Sequence, residues 1–225
     1  EEINHAKLQF FTNITHELLT PLSIISASVD ELKEEIPSSS RLLQVMENNT
    51  SRLIRLIQQI LEFRKVENGK LKLKVSCGNI SLFLKNSVLA FAPLVKKKKL
   101  SISLEATEEC SGYFDVDKLD KIIYNLLSNA AKYTPEGGAI TLCQSYDEET
   151  GLLKITVNNP GECIPEEKLA HLFERFYEGE YRKFHTIGTG IGLSLTKDLV
   201  ALHHGTIYAF SNKEEGNTFV VQIPV

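Results

Sequence analysis

Apolar residues recur at Leu18, Leu22, Ile25, Val29, Leu32 and Ile36 in steps of four and three, the spacing of a single seam along a helix. A first helix is therefore predicted from Glu1 to about Ile36, interrupted locally at Pro21, where a backbone donor is missing. Pro37-Ser38-Ser39-Ser40 reads as a turn with a serine available to cap a second helix. The same spacing returns at Leu42, Met46, Asn49, Leu53, Leu56, Ile60 and Phe63, so that second helix should fold back on the first as an antiparallel hairpin. Leu43, Ile54, Ile57 and Leu61 add a second stripe that one hairpin leaves uncovered. Pairing two hairpins into a four-helix bundle covers both, and a homodimer is expected. Asn49 is either a polar seam position that fixes register or a tolerated flanking residue.

The helical period stops around Glu67-Asn68-Gly69, and Leu71, Leu73 and Val75 then alternate as a strand does. This gives a boundary between a hairpin domain, residues 1–69, and a second domain, residues 70–225. In the latter the pattern predicts helices over Ile80 to Val95, Val116 to Lys132 and Gly192 to His203. It predicts strands over Leu100 to Leu104, Ile140 to Tyr146, Leu152 to Asn158, Thr206 to Phe210 and Thr218 to Ile223. Strands mixed with helices but not strictly alternating with them imply an α+β sandwich, with helices on one face of a mixed sheet.

Composition narrows the function classes. The net charge of −4 over 225 residues argues against contact with nucleic acid, which calls for a basic excess. Lys96-Lys97-Lys98-Lys99 is the one dense basic run and reads as a solvated helix end. Cys77, Cys110, Cys143 and Cys163 lie far apart with no CxxC pair, so neither a zinc site nor a disulfide framework is suggested and a reducing compartment fits. No stretch approaches the roughly 20 apolar residues of a membrane span. The chain opens inside a helical pattern without a starting methionine, so any membrane anchor or sensor is expected outside it.

Four stretches carry more chemistry than a core needs. His16 is two positions from Leu18, about 200° around the helix from the seam, which turns an imidazole that titrates near neutrality outward beside the carboxylate of Glu17. Asn125, Asn129 and Lys132 fall at i, i+4 and i+7, placing two amides and an ammonium on one helix face. Amide oxygens suit magnesium and the ammonium suits phosphate. Gly188-Thr189-Gly190-Ile191-Gly192-Leu193 runs straight into a helix, whose N-terminus favours an anion. No strand precedes it, so the dinucleotide-fold reading fails, and there is no GxxxxGK[ST] loop. Asn159-Pro160-Gly161-Glu162-Cys163-Ile164-Pro165 is a turn after a strand, where an amide can read a nucleobase edge and Gly161 permits close approach.

In their order, His16-Glu17-Leu18-Leu19-Thr20-Pro21, the double-asparagine helix, the turn at Asn159, Phe173-Glu174-Arg175-Phe176-Tyr177 and the glycines from Gly188 resemble the cytoplasmic core of a sensor histidine kinase, matching the boxes called H, N, G1, F and G2 across nearly the whole chain. The resemblance implies a two-component signalling enzyme. It phosphorylates His16 from ATP and passes the phosphoryl group to an aspartate of a response-regulator receiver domain, on the same chain or a separate one. Glu17 would activate the imidazole, and Thr20 would orient water when phosphate is removed from the regulator. Asn129 with Asn125 would hold Mg²⁺, and Lys132 and Tyr133 would contact phosphate and adenine. Gly188, Thr189, Gly190, Gly192 and Leu193 would line the phosphates. Residues Glu178 to Ile187 would form a short lid, with Arg182 and Lys183 reaching phosphate. The whole protein would be a sensor anchored in the inner membrane, with this part in the cytoplasm.

Three positions depart from the family pattern: Asn159 stands for the usual aspartate, Cys163 for a glycine and Leu19 for an arginine. Losing one charge-assisted bond costs about 1 to 3 kcal/mol, so weaker ATP binding than in a typical member is expected. The same departures admit a degenerate kinase fold that signals by conformation, and a further alternative is a protein acting mainly as a regulator phosphatase, with Thr20 as its key side chain.

Overall fold

The computed structural model describes residues 71–106, 109–177 and 190–225, and, nearer the N-terminus, positions 17, 18, 20, 21, 24, 25, 27, 28, 45, 46, 49, 50, 53, 56, 58–60, 62, 63, 65 and 66. Contacts divide the chain into two compact units. One comprises Glu1–Leu71 with Arg175–Gly192, the other Lys72–Glu174 with Leu193–Val225.

Every described position of the first unit between 17 and 66 is helical, Pro21 included. Glu17, Pro21 and Ser28 are buried, whereas Leu18 and Ile25 of the expected seam are half-buried in the single chain. Asn49 turns its Nδ2 back to the Val45 carbonyl at 2.9 Å, so its amide serves its own helix. The turn expected at residues 37–40 lies outside the described residues. Phe63, 3 % exposed, packs edge-on against Phe176 at a centroid separation of 5.7 Å, and the Arg175 guanidinium sits 5.1 Å from the Phe63 ring centre. Phe176 has φ +63° and donates its N–H to the Gly190 carbonyl at 3.1 Å.

The second unit is built on a five-stranded sheet. Its strands are β2 (Ser101–Ala106), β4 (Ala139–Asp147), β5 (Leu152–Asn159), β6 (Thr206–Asn212) and β7 (Gly216–Pro224), in the order β2-β4-β5-β7-β6. β2 pairs with β4 in parallel and the other neighbours are antiparallel, so the sheet is mixed. Register puts Leu142 opposite Val157 and Val157 opposite Phe219, with Ile155 opposite Val221 and Leu153 opposite Ile223. These share one face and are buried, while Lys154, Tyr208 and Phe210 of the other face are exposed. Period-two alternation thus sends one set of side chains into the core.

Against that core lie α1 (Ile80–Lys97) and α2 (Val116–Tyr133). α1 buries Ile80, Leu84, Val88, Phe91 and Val95, and α2 buries Leu119, Ile122, Ile123, Leu126 and Leu127. Each starts on a side-chain cap: the Asn79 Oδ1 accepts from the Leu82 N–H at 2.7 Å and the Asp115 Oδ1 from the Lys118 N–H at 3.1 Å.

The structure corrects the strand expected at Leu71, Leu73 and Val75. Those residues are not in a strand; the strand there, β1, is Ser76–Asn79, paired antiparallel with β3, Ser111–Phe114, in a separate two-stranded sheet. The Lys74 N–H goes to Asp115 Oδ2 at 2.7 Å and not to a ladder, so apolar alternation there reflects half-burial of Leu71 and Leu73 without a strand partner. β3 and the one-turn helix α3 (Glu166–Leu169) are too short to produce a periodic signal. The last helix, α4, spans Gly192–Leu202.

Candidate nucleotide site

Periodicity of α2 separates its polar residues by depth. Asn125 is 7 % exposed and donates from Nδ2 to the Thr196 Oγ1 of α4 at 3.2 Å. Asn129 and Lys132, one and two turns on, are half-buried, and Tyr133 is exposed. The Lys132 ammonium lies 4.9 Å from the centre of the Tyr133 ring, within range of a cation–π attraction. Thr134 stops the helix, its Oγ1 donating to the Ala130 carbonyl at 2.6 Å. The next carbonyl, Ala131, accepts from Lys98 Nζ at 3.1 Å. Partial burial, helped by the neighbouring Lys132 charge, holds the Lys98 ammonium below its ordinary pKa.

The end of α2 meets the turn after β5. A Cβ on Gly161 would lie 3.1 Å from the Tyr133 carbonyl oxygen and 3.0 Å from Asn217 Nδ2, so a side chain there would press on both neighbours. The turn is braced from the two strands beside it. Asn217 of β7 donates to the Glu162 carbonyl at 3.2 Å and accepts from the Ser211 Oγ of β6 at 2.6 Å. The Ile164 N–H donates to the same Ser211 Oγ at 2.9 Å, and the Cys163 Sγ lies 3.5 Å from it. Asn159, the last residue of β5, is 2 % exposed and donates from Nδ2 to the Pro160 carbonyl at 3.0 Å.

α4 opens at Gly192, where an added Cβ would meet none of the described residues within 4 Å; the next residue, Leu193, is half-buried. Gly190 has φ +65°, and a Cβ there would lie 2.8 Å from the Phe176 Cα and carbonyl carbon.

Of the residues singled out from the sequence, the second unit holds Asn125, Asn129, Lys132, Tyr133, Asn159, Gly161 and Leu193; Gly190 and Gly192 fall in the first. In the first unit Glu17 is 5 % exposed and Thr20 is exposed, both on helix. His16, Arg182, Gly188, Thr189 and the expected lid lie outside the described residues. Thr196, Ser211, Asn217 and Lys98 were not anticipated as parts of the site. Each is an ordinary polar residue whose role comes from a partner distant in sequence, Thr196 being 71 positions from Asn125.

Residues 114–225 match the family of histidine kinase-, DNA gyrase B- and HSP90-like ATPases, and residues 6–69 match the His Kinase A (phospho-acceptor) domain. All of the chain aligns with Histidine kinase P4 of Formosa agariphila at 38 % identity and with Hybrid signal transduction histidine kinase D of Dictyostelium discoideum at 32 %, spanning 17 % and 15 % of those proteins. The solved histidine kinase AdeS of Acinetobacter baumannii superposes with a TM-score of 0.69 at 21 % identity, covering 93 % of this chain and 97 % of that one. Histidine kinase ThkA, solved in complex with the response regulator protein TrrA, gives 0.67 at 22 % identity, covering 96 % of this chain and 61 % of that one. With the phospho-acceptor domain ahead of the ATPase domain on one chain, and the α+β sandwich of the latter in place, this chain belongs to the sensor histidine kinases, whose catalytic core it contains.

Proposed function

We propose that the protein is an ATP-dependent protein-histidine kinase that phosphorylates its own His16 and passes the phosphoryl group to a receiver-domain aspartate of a response regulator. The observation that carries this reading is the presence, in order on one chain, of a phospho-acceptor domain containing His16 and an ATPase domain. An imidazole nitrogen of His16 attacks the γ-phosphorus, ADP leaves, and Glu17 takes up the proton lost from the ring. Thr20, one turn along, is the proposed water-orienting side chain when the protein instead dephosphorylates its regulator.

The polar residues at the site fit a nucleotide. Two carboxamides and an ammonium on α2 supply neutral oxygen ligands and a cation, and the N-terminus of α4 adds its partial positive charge toward an anion. We assign Asn129, with Asn125 behind it, to Mg²⁺; the ion supplies neutralisation of the charge that builds on the phosphates. Lys132 and Arg182 are assigned to phosphate, and Gly188, Thr189, Gly190, Gly192 and Leu193 to the phosphate-side backbone. Tyr133, Asn159 and Gly161 are assigned to adenine and its surroundings. Catalysis of this kind rests on positioning and electrostatics, which is what the Asn125–Thr196 tie and the braced turn provide.

The protein is further proposed to act as a homodimer through its helical hairpin, leaving the half-buried Leu18 and Ile25 for a second copy to cover. Among the described residues no helix is long and apolar enough to cross a membrane. The kinase core is further proposed to act in the cytoplasm, as part of a membrane-anchored sensor. Incubation with γ-labelled ATP and magnesium, beside His16→Ala and Asn129→Ala variants, tests the reading. Acid-labile label that both substitutions abolish supports it; a folded dimer left unlabelled at millimolar ATP overturns it.

A further inference from the structure

We infer that the outward face of α1 is a docking surface for an anionic lipid bilayer, into which Leu82 and Leu89 reach between the ammonium groups of Lys85, Lys96 and Lys97. The inference is independent of the nucleotide-site reading.

Charge is segregated along this chain. Residues 71–104 hold seven lysines and no aspartate or glutamate, so all 29 acidic side chains of a protein with net charge −4 lie elsewhere. α1 runs through the middle of that stretch. Its buried Leu84, Val88 and Val95 define the inner side of the helix. At about 100° per residue, Leu82, Leu89 and Pro93 then cluster within about 40° of one another on the opposite side. Leu82 is 54 % exposed and Leu89 61 %. By the same rotation Lys85 and Lys96 flank this apolar ridge on one side and Lys97 on the other, and all three are exposed.

These lysines are available to a partner. Lys98 and Lys99, just beyond the helix, are engaged by the Ala131 carbonyl and by Glu136. Lys85, Lys96 and Lys97 have no carboxylate partner among the described residues. Two leucines left in water beside three unneutralised ammonium groups form a patch that the core of this unit does not need. Covering it calls for a partner that is negative and also offers apolar depth. An anionic bilayer supplies both: the lysine stems lie along the apolar surface with their ammonium groups among lipid phosphates, while the leucines enter the acyl boundary. An acidic protein would answer the charge, but protein interfaces favour arginine and aromatic side chains and are poor in lysine. The outward face of α1 has the reverse composition. Three lysines give a reversible, salt-dependent contact, a tether on the ATPase unit and not an anchor for the whole protein.

Flotation of the intact chain with lipid vesicles tests the inference. Vesicles of phosphatidylcholine mixed with phosphatidylglycerol should bind the chain at least about tenfold more tightly than vesicles of phosphatidylcholine alone at low salt, and the preference should vanish at high salt. The triple variant Lys85→Gln, Lys96→Gln, Lys97→Gln should lose the preference. The double variant Leu82→Ser, Leu89→Ser keeps every charge and should still bind the anionic vesicles at least about fivefold more weakly. Both variants should retain the native melting midpoint, since all five side chains are exposed. A folded chain that ignores anionic vesicles, or binds neutral ones equally well, overturns the inference, and so does undiminished binding in either folded variant. Self-association beyond a dimer that the leucine variant abolishes would give the face to a second copy and overturn it. Saturable binding to polyglutamate with none to vesicles would give the face to an acidic polypeptide, with the same result.

Discussion

Asn125 donates to Thr196 across 3.2 Å, and this bond joins the helix that carries both asparagines to the helix that begins at Gly192. Thr196 is fully buried, so its hydroxyl cannot be exchanged for water. Thr196→Val keeps the shape and removes the acceptor, and should cost about 1 kcal/mol of stability, read as a lowered midpoint in urea. ATP affinity should fall with it, because Asn125 then loses the partner that fixes its rotamer. Thr196→Ser retains the oxygen and should restore most of the affinity.

Gly190 and Gly192 have the same side chain for different reasons. At Gly190 the positive φ and the Phe176 backbone 2.8 Å from a would-be Cβ make glycine a requirement of the fold. Gly190→Ala should therefore destabilise the chain by about 1 to 3 kcal/mol whether or not nucleotide is present. A Cβ at Gly192 meets none of the described residues within 4 Å. Gly192→Ala should leave the thermal midpoint unchanged and weaken ATP binding at least severalfold, since the methyl group occupies the approach to the α4 N-terminus. Thermal melts with and without ATP separate the two cases; equal loss of stability in both variants would contradict the assignment of Gly192.

Long elements were legible in the sequence because each carries its own period. The seams of α1 and α2 and the alternation along β4, β5 and β7 announce themselves without reference to distant residues. β3 and α3, four residues each, are shorter than any period, and Leu71 to Val75 alternates without a strand to pair with. The candidate site divides in the same way. Asn125, Asn129, Lys132, Asn159 and Gly161 stand within motifs whose spacing has a chemical reason. Thr196, Ser211 and Asn217 hold those motifs in place through hydrogen bonds between segments far apart in the chain, and nothing local in the sequence marks them.

Phe63 illustrates a contact of that second kind. Its ring is held edge-on by Phe176 and faced by the Arg175 guanidinium, so the second helix of the hairpin region and the start of the Arg175–Gly192 segment share one small cluster. Phe63→Ala should cost about 3 kcal/mol or more, and Phe63→Leu less, since it keeps the apolar volume but loses the edge and cation–π terms. Arg175→Met should cost about 0.5 to 1 kcal/mol, because the guanidinium is exposed. Urea titrations of the three variants should rank them in that order.

Asp117 offers a pH dependence whose sign is set by its partners. Hydrogen bonds from Lys118 Nζ at 2.7 Å, and then from Lys121 Nζ at 2.9 Å, hold its carboxyl below the ordinary aspartate pKa. The folded state therefore binds this proton less readily than the unfolded chain. Its stabilising contribution is complete above the unfolded pKa and disappears as pH falls through the folded one. The side chain is 64 % exposed, and solvent screening limits the contribution to about 1 kcal/mol at most. Asp117→Asn should accordingly lower stability slightly at neutral pH and by nothing once acid has protonated the native carboxyl, which denaturant titrations at the two extremes will show. Asp120, one turn-fraction away on α2, carries a pKa raised first by burial and second by the Asp117 charge. In the variant that second influence is gone, so Asp120 should titrate lower, in a carbon-13 carboxyl spectrum, while remaining above its ordinary value because the burial is unchanged.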